Sequence, residues 1–175
     1  MQATELKKQL LQKHIEFTNT IVALNESDFL HSAAGNKWNA GQQLQHIVMS
    51  VSPLIWALRL PKFVLKTWFG KANRKSRSYD ELVLRYKQKL AEGGRAPARF
   101  SPKQIAFSQK ENVRNKLLKL VEKLCSMQSK FSDEEFDLII LPHPLLGKLT
   151  VREMYYFTLY HVQHHHEQCI TNLKK

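Results

Sequence analysis

The segment Thr150–Leu173, TVREMYYFTLYHVQHHHEQCITNL, decides the fold class of this chain of 175 residues. Its apolar residues recur three, four or seven positions apart, which is the period of one helical face. They are Val151, Tyr155, Leu159, Val162, Cys169 and Leu173. Thr150 is followed three residues later by Glu153, a capping box that satisfies backbone N–H groups at a helix start. The segment therefore predicts a long amphipathic helix running close to the last residue.

Four more segments show helical periodicity or helix-start signals. They are 3–25, 39–60, 78–93 and 108–131. Three of them begin with a capping box, and the pairs are Asn39/Gln42, Ser78/Glu81 and Ser108/Glu111. Four long helices and a shorter one predict an all-α helical bundle with a crossover connection.

The segments between these helices are predicted to be loops. Residues 25–37 are rich in helix-breaking residues, 62–78 are basic and aromatic with a turn near Gly70, and 94–107 form a long crossover. Residues 132–149 are predicted to be a structured loop. No segment alternates apolar and polar residues convincingly, and 136–141 is the one strand-like stretch.

The composition is that of an ordinary globular protein, with 43% hydrophobic and 24% charged residues. We expect one domain over residues 1–175. Cys125 and Cys169 are too few for a disulfide framework and are expected to be free thiols. The first residues are polar, and the longest apolar stretch, 47–60, is too short to span a bilayer. We therefore expect a soluble cytoplasmic protein with no transmembrane segment.

Histidine carries the most specific chemical signal in the sequence. Four of the eight histidines lie between His161 and His166. His161 and His165 are four residues apart, about 40° on a helical wheel, so their side chains lie one above the other. This spacing allows two imidazoles to reach one metal ion. The pair lies beside the apolar stripe, at the edge of the predicted core, whereas His166 falls inside the stripe and His164 points elsewhere.

A metal ion needs a third ligand, and His46 is the best candidate. Its helical neighbours Ser50, Pro53 and Ala57 are small and leave room for a cavity. Spacing alone cannot choose His46 over His14 or His143. The alternative interpretation is that these histidines are buried, hydrogen-bonded packing residues, and an i, i+4 pair also arises by chance.

Three stretches resemble the DinB-like (DinB/YfiT) superfamily. Trp38–His46, WNAGQQLQH, is similar to the motif around the first metal ligand of that family, and His161–Ile170, HVQHHHEQCI, is similar to its last-helix motif. Leu141–Met154 looks like the lead-in to that helix. The basic middle, about 62–107, matches no motif of the family.

This resemblance implies a four-helix bundle in up-down-down-up order with a divalent metal, zinc or nickel, on His46, His161 and His165. It also implies homodimers and, in several relatives, S-transfer or isomerisation with a low-molecular-weight thiol such as bacillithiol or mycothiol. Several members carry Glu where this chain has Gln42. If that Glu assists catalysis in those members, the assistance is lost here; if it only caps the helix, Gln serves equally well.

Three functions are weighed on this basis. The first is thiol S-transfer to a small-molecule electrophile, with His143, Tyr160 and Gln168 as groups that support the ligands or contact substrate. The second is metal-dependent hydrolysis, which ranks lower because no carboxylate base is evident on the His161 face. No catalytic residue can be assigned.

The third function is a non-enzymatic module that binds nucleic acid or another anion. The chain has 27 Lys and Arg against 15 Asp and Glu, a net charge of +12. Segment 59–77 interleaves basic residues with Phe63, Trp68 and Phe69. Its alternative interpretation is a solvated basic face over buried aromatic residues, and binding of this segment to a membrane surface ranks lowest.

Overall fold

The computed structural model describes residues 1–32 and 37–173 of the chain. This part contains eight α-helices and one β-hairpin. The helices are α1 Ala3–Val22, α2 Glu26–Leu30, α3 Ala40–Arg59, α4 Lys62–Trp68, α5 Tyr79–Ala91, α6 Lys110–Met127, α7 Asp133–Leu138 and α8 Val151–Leu173. The strands are β1 Ile140–His143 and β2 Gly147–Thr150. The prediction of a mainly helical, all-α protein is confirmed.

The four long helices α1, α3, α6 and α8 enclose the hydrophobic core. Helix α6 packs against α1 and α3, and α8 packs against the same two helices. The apolar face of each helix is buried, as with Leu10 and Phe17 of α1, Leu44 of α3, Leu117 of α6 and Leu159 of α8, all at 0% exposure. The period of three and four in the sequence therefore marks the faces that form the core.

Three of the four predicted capping boxes are present. Asn39 with Gln42 starts α3 and Ser78 with Glu81 starts α5. At α8, the Thr150 hydroxyl accepts from the Glu153 N–H, and a Glu153 carboxylate oxygen accepts from the Thr150 N–H. The prediction at Ser108 is wrong: a 3₁₀ turn, Phe107–Gln109, precedes α6, and the Gln109 side chain accepts from the N–H of Ala106 instead.

The predicted loops contain more regular structure than the sequence indicated. Helix α2 lies within 25–37, of which residues 33–36 are outside the described part, and α4 lies within 62–78. The strand-like stretch is only half right, because 136–138 end α7 and the strand begins at Ile140. Its partner β2 pairs with it antiparallel, with His143 opposite Gly147. Gly147 has φ +78°, which an L-residue rarely adopts and which suits the tight turn.

No single helix within 1–32 and 37–173 is both long and apolar enough to cross a membrane, and α3 and α4 meet that criterion only together, across a bend of 110°.

Candidate metal centre

Two long helices bring three histidines to one point. Helix α8 carries His161 and His165 one turn apart, and α3, packed against it, carries His46 about one turn after Gln42 of its capping box. All three are buried, at 4–5% exposure. Their ligand nitrogens lie within 4.8 Å of one another, so these three residues could hold a metal ion.

The spacing of the nitrogens fits a shared cation. The Nε2 atom of His161 lies 3.2 Å from Nε2 of His46 and 3.0 Å from Nε2 of His165. A tetrahedral zinc ion 2.0–2.1 Å from two nitrogens would hold them about 3.3 Å apart. The distances in the structure fall within a few tenths of an ångström of that value, so little movement is needed for binding.

The other ring nitrogen is fixed in two of the three histidines. His46 Nδ1–H donates to the backbone oxygen of Phe100 at 2.8 Å, because a carbonyl can only accept. His165 Nδ1–H donates to Oε1 of Gln43. These bonds select the tautomer in which Nε2 carries a lone pair, the form that a metal binds. Lone pairs facing each other in a buried space repel one another, and a cation removes that repulsion.

The amide of Gln43 is itself held in place. Its Nε2 contacts the backbone oxygen of Trp38 at 3.5 Å and Oε1 of Gln168 at 3.4 Å. The Nε2 of Gln168 donates in turn to Nε2 of His164 at 2.9 Å. These contacts orient Oε1 of Gln43 toward His165. The ring of His165 is therefore held by Gln43, which is in turn held by Gln168.

Burial keeps the three imidazoles neutral. It lowers the pKa of His161 and His165 well below the usual value of 6.5, and the neighbouring histidines lower it further. Burial also lowers the pKa of His46, although its bond to the Phe100 carbonyl opposes this. Neutral rings offer lone pairs at neutral pH, so the cluster is ready to bind a cation rather than a proton.

An open cleft of about 1410 Å³ leads to the cluster. Residues predicted to lie on the same helical faces as the histidines line the cleft. They are Ser50, Pro53 and Ala57 with His46 on α3, and Met154, Phe157 and Thr158 with His161 on α8. Basic residues also line it: Lys37, Arg95, Arg99 and Lys116. Glu167 is the one carboxylate among the described residues in its wall. The cleft is therefore an apolar space with an excess of positive charge.

The residues predicted to support the site have different places. Gln168 belongs to the hydrogen-bonded network through Gln43. His143 is separated from His161 by the ring of Phe157, with centroids 4.2 Å and 4.7 Å away. Tyr160 contacts Tyr86, with centroids 5.9 Å apart, and is not among the described residues that line the cleft.

His143 has a structural task in the hairpin. Its Nδ1 accepts from the N–H groups of Leu145 and Leu146 at 3.2 and 3.0 Å, which closes the turn between β1 and β2. Burial lowers its pKa to about 4. Because Nδ1 accepts two bonds, His143 is neutral and lines the cleft with its remaining edge.

His14, the other alternative third ligand, lies apart from the cluster. It is fully buried on α1, and its Nδ1–H donates to the backbone oxygen of Leu10 at 2.8 Å. This is the packing role that the alternative interpretation predicted. His166 bonds Thr20 at 2.8 Å and packs edge-on against Phe17, and so it joins α8 to α1.

Sequence reasoning missed two groups that hold the ligands. Gln43 was overlooked in favour of its neighbour Gln42, whose Oε1 accepts from the Asn39 N–H and whose Nε2 donates to Pro102 O. Gln42 is therefore a capping residue here. The Phe100 carbonyl could not be found at all, since backbone oxygens carry no sequence signal. The signal that could have found Gln43 is its position inside the Trp38–His46 motif, three residues before His46.

The basic segment 59–77 is largely committed to internal ion pairs. Arg74 contacts both carboxylate oxygens of Glu153, at 2.6 and 2.8 Å, and Arg77 adds a backbone and a side-chain bond. Lys62 and Lys66 pair with Glu135 at 2.5 and 3.9 Å. Burial opposes ionisation of Glu153, but the bonds from Arg74, Arg77 and Thr150 outweigh it and lower its pKa.

The comparison with known proteins agrees with this geometry. A family model described as the DinB superfamily matches residues 9–169, which include all three clustered histidines. No curated protein matches the sequence. A match over nearly the whole chain shows the family, and the chain therefore belongs to the DinB superfamily.

Proposed function

We propose that this protein is a metal-dependent enzyme that transfers a low-molecular-weight thiol to a small electrophile. One observation carries the proposal: the Nε2 atoms of three buried histidines converge at the end of an open cleft, and bonds at Nδ1 fix a lone pair on Nε2 in two of the three rings. Three neutral imidazoles suit zinc or nickel, and three ligands leave a coordination position free.

The chemistry follows from the free position. When bound, a divalent cation there favours the thiolate form of a thiol at neutral pH. His46, His161 and His165 would hold the cation, and Gln43 and the Phe100 carbonyl would hold the rings. The thiol releases its proton to water in the open cleft, its sulfur forms a bond to the electrophilic carbon, and the leaving group departs with the electrons of the bond that breaks.

The walls of the cleft suggest the class of thiol. The described lining residues include four basic side chains and one carboxylate, that of Glu167. The basic residues are Lys37, Arg95, Arg99 and Lys116. An anionic thiol would be attracted to such a wall, and the apolar surface of Phe157 and Met154 would accept the carbon skeleton of the electrophile.

Metal content is the first test. Protein purified without a tag should contain about one zinc or nickel per chain by elemental mass spectrometry. His161→Ala should lose it, because two imidazoles hold a metal weakly. His166→Ala is the matched control, since His166 is on the same helix but bonds Thr20. Metal-free wild-type protein, after incubation with both ions, would contradict the proposal.

Activity separates the two enzyme hypotheses. Metal-loaded protein is incubated with a panel of electrophiles, with and without added thiols, and products are followed by mass spectrometry. Conjugation that requires the thiol and is lost in His161→Ala supports S-transfer. Cleavage of substrates without any thiol would instead support hydrolysis. Glu167, the one carboxylate among the described residues of the cleft wall, would then be the candidate general base.

Two features of assembly are part of the proposal. We propose that α1, α3, α6 and α8 form a four-helix bundle in up-down-down-up order, which the contacts of α6 and α8 with both α1 and α3 support. The family resemblance further supports a homodimer. Light scattering after size-exclusion chromatography would then give about twice the chain mass of 20.4 kDa.

A further inference from the structure

A stripe of positive charge runs along the exposed face of α6. Lys116, Lys119 and Lys123 recur three and four residues apart, so they lie on one face of the helix. Together with Arg59 at the end of α3 they line a groove of about 550 Å³. The polar amides of Asn112 and Asn115 complete the row.

This stripe, Arg59 with Lys116, Lys119 and Lys123, differs from the basic residues that pair with Glu135 and Glu153 in having no internal partner among the described residues. Lys62 and Lys66 pair with Glu135, and Arg74 and Arg77 pair with Glu153. Within the described ranges, no carboxylate lies within 4.0 Å of any of the four cations of the stripe, and no acidic residue lines its groove. All four side chains are exposed.

The stripe has the length and chemistry of a site for a repeating anion. From Asn112 to Lys123 the helix rises about 16 Å, the length of about five phosphates in a stacked nucleic acid strand. Lysine and arginine neutralise phosphates, and the amides of Asn112 and Asn115 can donate to phosphate or sugar oxygens.

An aromatic platform lies at one end of the stripe. Trp56 is 60% exposed and is one turn before Arg59 on α3. Lys116 lines both the basic groove and the larger cleft that Trp56 also lines, which makes the two surfaces continuous. An exposed indole beside a row of cations is the arrangement that stacks an unpaired base while the backbone follows the charges.

We infer that this face binds single-stranded nucleic acid through its phosphodiester backbone, with Trp56 stacking one base. A second copy of the chain would bring the same positive charge to the face and would be repelled. A flat anionic membrane would favour several apolar side chains projecting past the lysines, whereas on this face Trp56 is the exposed apolar side chain and Leu120 in the groove is half-buried. A duplex would offer Trp56 no free base to stack on.

The test is the binding of a fluorescent oligothymidine of about 15 nucleotides, followed by anisotropy from about 25 to 200 mM NaCl. The affinity should fall with salt, with a log–log slope of about −3 for four neutralised phosphates. K116Q/K119Q/K123Q should reduce that slope by about 2. Trp56→Ala should weaken binding about tenfold and leave the slope unchanged, because stacking releases no counterions.

The control variant is K71Q/K75Q/K148Q, which removes the same charge from exposed lysines elsewhere. It should bind like wild type, and all variants should unfold at the same urea concentration as wild type. No binding at about 25 mM salt would overturn the inference. So would an equal loss in the control variant, or binding of phosphatidylserine vesicles without binding of the oligonucleotide.

Discussion

The histidine cluster and the basic segment 59–77 both stand out in the sequence, but in the structure the histidines line a cleft whereas most of the paired cations serve to join segments of the chain. At the cluster, residues singled out by spacing lie together and face an open cleft. In the basic segment, four cations turn inward to Glu135 and Glu153, carboxylates some 70 to 80 residues away. Helical spacing predicts which residues share one face of a helix, and that prediction does not depend on the rest of the fold. A run of basic residues does not show which carboxylates it will pair with, and here four of its members form internal ion pairs.

Removing the Glu153 carboxylate should have the greatest effect on stability. Glu153→Ala leaves Arg74, Arg77 and the Thr150 N–H without their partner in a site where the glutamate is fully buried. Breaking such a buried pair costs about 3–5 kcal/mol. Urea unfolding measures the loss.

Glu153→Gln is the control for this variant, because the amide oxygen can still accept from the Thr150 N–H. It should lose less than the alanine variant. A loss below about 1 kcal/mol in Glu153→Ala would mean that the basic segment is a solvated face after all.

A histidine outside the cluster should make stability depend on pH. Burial lowers the pKa of His14 to about 4, against 6.5 when unfolded. Below pH 6.5 the unfolded chain gains a proton that the folded chain does not take up until pH falls to about 4. Stability should therefore drop across this window by about 3 kcal/mol on account of His14 alone.

The contribution of His14 is isolated by difference. Urea unfolding of wild type and His14→Leu is measured from about pH 7 to pH 4, and the free energy of the variant should fall less steeply. Other buried histidines contribute equally to both proteins and cancel. Parallel curves would show that folding does not lower the pKa of His14.

The two adjacent glutamines of α3 should have separate effects. Gln43→Ala frees the Nδ1–H of His165 and should weaken metal binding about 10- to 100-fold, as loss of a group that holds a ligand does elsewhere. Gln42→Ala removes the capping bond to the Asn39 N–H and should cost about 1 kcal/mol of stability with metal affinity unchanged. Competition with a chelator measures the first effect and urea unfolding the second. Equal metal affinity in both variants would refute this assignment.

The exposed end of the basic segment should be the least sensitive. Glu135→Gln abolishes the pairs with Lys62 and Lys66, which are only partly buried, and retains the oxygen that accepts from the Ser132 N–H. The loss of stability should be much smaller than that of Glu153→Ala and should shrink in high salt, because water and ions screen exposed pairs. A loss as large as that of Glu153→Ala would erase the distinction between the two carboxylates.

Local sequence patterns were sufficient to predict the local features of the fold. Periods of three and four placed the long helices, capping pairs placed the starts of α3, α5 and α8, and the i, i+4 spacing put His161 and His165 on one face. Errors occurred where competing local signals were short, as at Ser108 and in the stretch that became α7 and β1.

The packing of the helices selects the histidine that joins His161 and His165. Spacing left His46, His14 and His143 open, and the packing of α3 against α8 brought in His46. The Phe100 carbonyl that fixes His46 lies 54 residues away in sequence, and Gln43 lies 122 residues from His165. Such contacts depend on how the whole core packs, since each helix alone fixes the directions of its side chains but not the helix that they face.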